Sequence, residues 1–209
     1  MASKYKIAEG YRNNRQLMGL SLTHRAMEKL NTHVVDALHE VGVPAIAIPP
    51  SACAVVDGGR IKSMELAPVR KLLKLGLVPV LYGDAVPDLS KGMSILSGDQ
   101  LITHLARELG VSRVILGVDV DGVYTSDPKK NRGAKLMRRI TLADRAKLMT
   151  SLGAARGRDV TGGMANKVQE LFALAERGIE AEIVNATKSG TLRRAILGER
   201  GIGTHVVAR

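Results

Sequence analysis

Residues 113–128 read Arg-Val-Ile-Leu-Gly-Val-Asp-Val-Asp-Gly-Val-Tyr-Thr-Ser-Asp-Pro. Arg113–Val118 is a short run rich in β-branched and apolar residues, the pattern of a buried strand. Asp119 and Asp121 stand where that strand gives way to a loop, and Gly122 permits close backbone approach to a bound group. In α/β folds, ligands collect at the carboxyl ends of strands. Two carboxylates there can position sugar hydroxyls or a Mg²⁺, an ion that takes one or two carboxylates and keeps its waters. A plain Asp/Gly turn between strands is the alternative reading.

Outward from this stretch, helices alternate with short apolar strands, the pattern of an α/β fold with a mostly parallel sheet. Upstream, Leu22–Val41 has helical apolar spacing and stops at Gly42. Ala45–Ile48 reads as a strand, and Asp57-Gly58-Gly59 as the turn of a hairpin. A helix over Leu66–Leu75, a strand over Val78–Tyr82, a hairpin across 83–96 and a helix from Gln100 to Leu109 follow. Downstream come a short helix near Thr141–Met149, a Gly/Arg-rich segment and a helix from Met164 to Arg177. Strand Glu182–Asn185, helix Leu192–Leu197 and strand Thr204–Val207 close the chain. There is no repeat, low-complexity tract or linker, so one domain over 1–209 is expected.

Composition narrows the function classes. The chain has 209 residues, 45% of them hydrophobic, a globular share that allows a sizeable core. No apolar run approaches the ~18 residues needed to span a bilayer. The first residues lack the apolar core of a secretory signal. One cysteine, Cys53, excludes an internal disulfide. A cytoplasmic protein without a membrane partner is the plain reading. The formal net charge of +11 suits either nucleic acid or polyanionic small molecules. Aromatic residues make up only 2%, with no Trp. The densest basic stretch, Lys129–Lys147, carries no rings, whereas single-strand binders stack bases on them. Nucleic acid is therefore disfavoured as a partner.

Three further loops repeat the strand-end theme. Asp159-Val-Thr-Gly-Gly-Met-Ala-Asn-Lys167 sets two glycines directly before a helix, where backbone N–H groups and the helix N-terminus can meet an anion. Lys167, one turn into that helix, can turn back on phosphates as a point charge; a surface lysine after a Gly-rich loop is the bland alternative. Ser94-Ile-Leu-Ser-Gly-Asp-Gln-Leu101 runs strand, turn, helix. Ser97 and Asp99 suit N-caps, and Gly98 frees an N–H for a phosphate. Tyr82-Gly83-Asp84 is another strand end opening into a Gly-Asp loop.

Together, LVPVLYGDAV, SILSGDQL, VILGVDVDGVYTSDPKK, DVTGGMANK and the closing GERGIGTHV resemble the isopentenyl phosphate kinases of the amino acid kinase superfamily, in order and at about the right intervals. YGDAV with SGDQL narrows the match, since a uridylate or glutamate kinase would differ at those loops. The resemblance implies a three-layer αβα sandwich with a mainly parallel central sheet, and a homodimer. It implies ATP with Mg²⁺ as cofactors and isopentenyl phosphate as the acceptor. By the same resemblance, Lys167 would neutralise ATP phosphate charge and Gly163 would pass close to the nucleotide. Asp119, Asp121, Gly122 and Tyr124 would line the ATP side. Gly98 would meet the acceptor phosphate, and Asp99 would organise catalytic lysines. Met18, Leu20, Met27, Ile95 and Leu96 are candidates for an apolar floor under a five-carbon tail.

The family also carries an N-terminal strand ending in Lys-Leu-Gly-Gly-Ser and a Gly-Ser-Phe-Gly-His loop, and neither segment is in these 209 residues. The N-terminal strands of the sandwich are thus expected to be missing, and the chain alone is expected to turn over poorly. His24, His33 and His39 lie outside the family's loop context and read as surface or structural residues.

Overall fold

Helix α1 (Arg15–Glu40) takes up 26 residues near the start of the chain and begins seven residues before the spacing predicted. The early start has a polar cause. Gln16, buried to 5% exposure, accepts N–H bonds from Arg12 and Asn13 and donates to the carbonyls of Tyr5, Lys6 and Gly10. One amide thereby ties the segment of residues 5–13 to the first turn of the helix. Tyr5 lies on Gly19, where any side chain would collide with its ring.

The computed structural model describes residues 2–128, 131–153 and 163–209. The chain divides into two compact units, Met1–Leu101 and Ile102–Arg209. In the first, β1 (Ala45–Ala47) pairs in parallel with β4 (Val78–Val80). A second sheet has the order β3-β2-β5-β6, built from β2 (Ala54–Asp57), β3 (Arg60–Met64), β5 (Asp84–Asp88) and β6 (Gly92–Leu96). The β2–β3 turn falls at Gly58-Gly59, as expected. Both glycines have positive φ (61° and 87°), the requirement of a type I′ hairpin turn. Helix α2 spans Ala67–Lys74, and the boundary between units falls within α3 (Gly98–Leu109).

In the second unit the sheet order is β7-β9-β10-β8, from β7 (Arg113–Val118), β8 (Arg139–Thr141), β9 (Glu180–Asn185) and β10 (Thr204–Val207). Helices α4 (Arg145–Gly153), α5 (Gly163–Ala175) and α6 (Thr191–Ile196) complete it. Val168, Leu171, Phe172 and Leu174 of α5 are fully buried against Ala181, Ile183, Val206 and Ile140 of the sheet. Glu182, 2% exposed, is paired with Arg113 at 3.1 Å, and Arg113 also donates to the Ala195 carbonyl.

The α/β architecture is as the sequence indicated, and its sheets are mixed. Among the described residues β1–β4, β2–β5, β7–β9 and β8–β10 pair in parallel, while β2–β3, β5–β6 and β9–β10 are antiparallel. Strand β8 had no sequence signal, being three residues inside a basic, polar stretch. No described helix is long and apolar enough to cross a membrane.

Candidate functional site

In the second unit, β7 and β9 run side by side with Val118 opposite Asn185, so Asp119 and the loop after β9 emerge at the same sheet end. A cavity of about 290 Å³ opens there, lined by Asp121, Leu136, Arg138, Asn185, Lys188 and Arg194 among others. Asp121 is its anionic member. Its Oδ1 meets Lys188 Nζ at 2.6 Å and accepts a bond from Asn185 Nδ2 at 3.0 Å. The Lys188 ammonium, then Asn185, and to a smaller degree Tyr124, hold the Asp121 carboxyl below the usual carboxylate range. Asn185 is set in turn by Thr187, whose N–H and hydroxyl both donate to its Oδ1. Arg138 donates to the carbonyls of Gly201 and Ile202. Arg194 makes a two-pronged pair with Glu199. Cations thus outnumber carboxylates on the cavity wall, which favours an anionic guest carrying hydroxyls for Asp121.

Asp121 and Tyr124 come together, while Asp119 is exposed at the end of β7. Gly122 is buried and meets protein. Its φ is 143°, and a Cβ there would collide with the Thr204 hydroxyl, which accepts from Val123 N–H and donates to the Met137 carbonyl. Gly163, with φ 58°, opens α5, and Lys167 is half-buried one turn on. The remainder of that predicted loop, Asp159–Gly162, lies outside the described residues, as do Lys129 and Lys130.

In the first unit the structure joins two of the glycine loops. A Cβ at Gly83 would stand 3.1 Å from Gly98 N and 3.2 Å from Leu96 O. So close an approach of two backbones is favoured where one residue has no side chain. Asp99 is 9% exposed at the start of α3, and Ser97 Oγ accepts the Gln100 N–H as an N-cap does. Gln100 accepts from Ile61 N at 2.6 Å and donates to Gly59 O at 3.1 Å, tying the β2–β3 hairpin to the helix start. Asp84, 1% exposed, accepts from His24 Nδ1 at 2.8 Å and from the N–H groups of Ser51 and Ala85. The bond to Asp84 holds the His24 imidazole above its ordinary pKa, with Glu28 adding to the effect against a modest cost of burial. Burial pushes the Tyr82 phenol up to about 12 and raises the Cys53 thiol, so both stay protonated near neutrality. Of the residues suggested for an apolar floor, Leu96 is fully buried and Met18 is 59% exposed.

Asn185, Lys188 and Arg138 had not stood out in the sequence. Asn185 closes a strand and opens into a polar loop, the same position that singled out Asp119, and that signal was available for it. Lys188 and Arg138 carry no local mark. His24, read as structural, is anchored to one of the motif aspartates.

The amino acid kinase family model matches residues 1–185. The isopentenyl phosphate kinase of Methanothermobacter thermautotrophicus is 43% identical over 214 aligned residues, an alignment covering 100% of this chain and 79% of that enzyme. The isopentenyl phosphate kinase of Haloferax volcanii is 40% identical over 156 residues, covering 75% of this chain and 60% of the relative. Among solved structures, an isopentenyl phosphate kinase superposes with TM-score 0.86 at 40% identity, covering 99% of this chain and 78% of that one. The chain belongs to the amino acid kinase family and, within it, to the isopentenyl phosphate kinases.

Proposed function

We propose that the protein transfers the γ-phosphoryl group of ATP to isopentenyl phosphate, giving ADP and isopentenyl diphosphate. The observation that carries the reading is the 43% identity to an isopentenyl phosphate kinase along the whole chain. The geometry supports it. The Asp121 cavity suits a nucleotide, with Asp121 toward sugar hydroxyls and Lys188 and Arg138 toward negative charge. Lys167 neutralises phosphate charge during transfer, and the Gly98 amide receives the acceptor phosphate beside Asp99. An acceptor phosphate oxygen attacks the γ-phosphorus in line as the bond to the ADP bridging oxygen breaks. Such chemistry asks the protein chiefly for positioning and charge stabilisation.

Among the described residues no three His, Cys, Asp or Glu side chains gather into a metal cluster. A Mg²⁺ belongs to the same reading, held largely by ATP oxygens and water, with Asp119 as a carboxylate near its path. When bound, the ion supplies charge neutralisation on the transferred group. On this reading residues 1–209 act as one functional domain in the cytoplasm. A homodimer belongs to the same reading, supported by the exposed Leu17, Leu30 and Val34 along α1. Sedimentation equilibrium checks it.

The decisive experiment measures ADP release with isopentenyl phosphate, UMP and glutamate as competing acceptors. Of the three acceptors, turnover is expected with isopentenyl phosphate only, slow for these 209 residues by themselves. Lys167→Ala should lower it further, roughly 10²–10³-fold, the usual cost of one positioned donor. Equal or greater turnover with another acceptor would sink the assignment.

A further inference from the structure

We propose that His24 is a positioning residue for the acceptor: through Asp84 it seats the Tyr82-Gly83-Asp84 loop against which the Gly98 amide is packed. The inference rests on the reading above, in which Gly98 meets the acceptor phosphate. It starts from a buried carboxylate that the transfer chemistry does not use. Asp84 has 1% of its surface exposed, and a carboxylate so placed is costly unless paired and hydrogen-bonded. Three donors satisfy it, from three parts of the first unit. Ser51 N–H at 3.2 Å comes from the turn before β2, and Ala85 N–H at 2.8 Å from β5 itself. The third is a side chain, His24 Nδ1 at 2.8 Å from α1, sixty residues away in sequence. The other ring nitrogen of His24 faces Glu28 at 3.4 Å. The imidazole is therefore gripped at both ends and fixes the loop to the helix.

What Asp84 holds is next to it in the chain. Gly83 is packed closely enough on Gly98 and Leu96 that a Cβ on it would stand 3.1 Å from Gly98 N and 3.2 Å from Leu96 O, so a shift of its backbone presses on the start of α3. On the other side, Gln100 pins the same helix start to Gly59 and Ile61 of the β2–β3 hairpin. The Gly98 amide thus sits between two buried polar clamps. Loosening the His24 clamp shifts Gly83, and Gly98 follows through van der Waals contact. Acceptor binding should suffer while the nucleotide cavity, built from residues of the second unit, keeps its shape.

The test is steady-state kinetics of the full chain and of His24→Ala, His24→Asn and Asp84→Asn, with His33→Ala as an exposed control on the same helix. His24→Ala and Asp84→Asn should each raise KM for isopentenyl phosphate ~10-fold, the scale of one charge-assisted hydrogen bond, and leave kcat and KM for ATP within about twofold. His24→Asn, whose amide can donate to Asp84 from nearly the same place, should recover most of the loss, and His33→Ala should change nothing. Amide hydrogen exchange at Gln100 and Leu101 should quicken in His24→Ala. An unchanged acceptor KM overturns the inference, as does a rise shared equally with the ATP KM. A wild type that phosphorylates nothing overturns the functional reading instead. Hydrogen exchange then judges the clamp alone, faster exchange upholding it and unchanged exchange overturning it.

Discussion

The two units of this chain solve the problem of a stable interior differently. The second, Ile102–Arg209, has a continuous apolar core in which Phe172, Leu171 and Leu174 of α5 lie fully buried on the β7-β9-β10-β8 sheet. The first, Met1–Leu101, buries fewer apolar side chains, among them Val56, Val86, Met93 and Leu96, and ties its loops with buried polar ones. Gln16, Asp84, Asp88 and Gln100 are each under 9% exposed, and each bonds backbone groups from separate segments. Its long helix shows the contrast most clearly, since α1 buries only Gln16, Gly19 and Asn31 of its 26 residues. An apolar core is non-directional and tolerates small shifts. A carboxylate or amide holding several N–H groups fixes loops in particular places, and losing it strands those donors. In the unit with the paired glycine loops, directional bonds supplement a smaller set of buried apolar side chains.

Mutations can break this contrast or sharpen it, and the largest effect belongs to the apolar unit. Phe172→Ala, which empties the centre of the core, should cost about 3–5 kcal/mol in denaturant unfolding. Hydrogen exchange should place the loss mainly in residues 102–209. Next comes a polar anchor of the first unit. Asp88 accepts the N–H groups of Gly58, Gly59, Ser90 and Lys91, and these bonds hold its carboxyl below the usual range despite burial. Asp88→Ala should cost roughly 2–3 kcal/mol, the scale of unpaired bonds to a charged group. Faster exchange should appear at those four amides and spare the second unit. A loss spread evenly over both units would erase the distinction.

Two smaller effects follow. Lys188→Ala removes the main cause of the low Asp121 pKa, so NMR titration should find that carboxyl moved up toward its ordinary value. Affinity for ATP by calorimetry should fall about 3- to 5-fold, because the contact is largely solvent-exposed and screened. The smallest is a pH effect in the first unit. His24 has a raised pKa when folded, so its stabilisation is complete below about 6.5 and fades as pH rises through the higher folded value. Unfolding free energy should therefore decline above about pH 6.5 in the wild type relative to His24→Asn, which has no titrating ring. A parallel course of the two curves would show that the pair contributes no pH dependence.

Much of the fold is legible in particular residues. Arg113–Val118 and Thr204–Val207 form strands with the bounds their apolar runs indicate, and Asp57-Gly58-Gly59 turns where a type I′ hairpin needs positive φ. The early start of α1 was hidden because the first turn is tied down by Gln16 bonding backbone groups of residues 5–13, contacts that only the folded chain makes. Strand β8 was hidden because Arg139-Ile-Thr becomes a strand only by pairing with His205–Val207 of β10. For the candidate site, Asp121, Gly98 and Asp99 stood out from their loops, and Tyr124 came through the family resemblance. Lys188, Arg138 and His24 did not, since nothing beside them in the chain marks them.

By itself the sequence determined the order of helices and strands, the places where glycine loops break strand ends, and the kinship with a kinase family. The first two follow from side-chain period and turn chemistry, which act over a few residues; the kinship rests on the resemblance of whole motifs. Only the tertiary structure decided that Gly83 would close on Gly98, that Gly122 would yield its space to Thr204, and that Asp84 and Asp121 would take His24 and Lys188 as partners. The partners of a buried carboxylate are chosen by which donors the packed chain brings within about 3 Å. That choice is made between residues as far apart as 24 and 84.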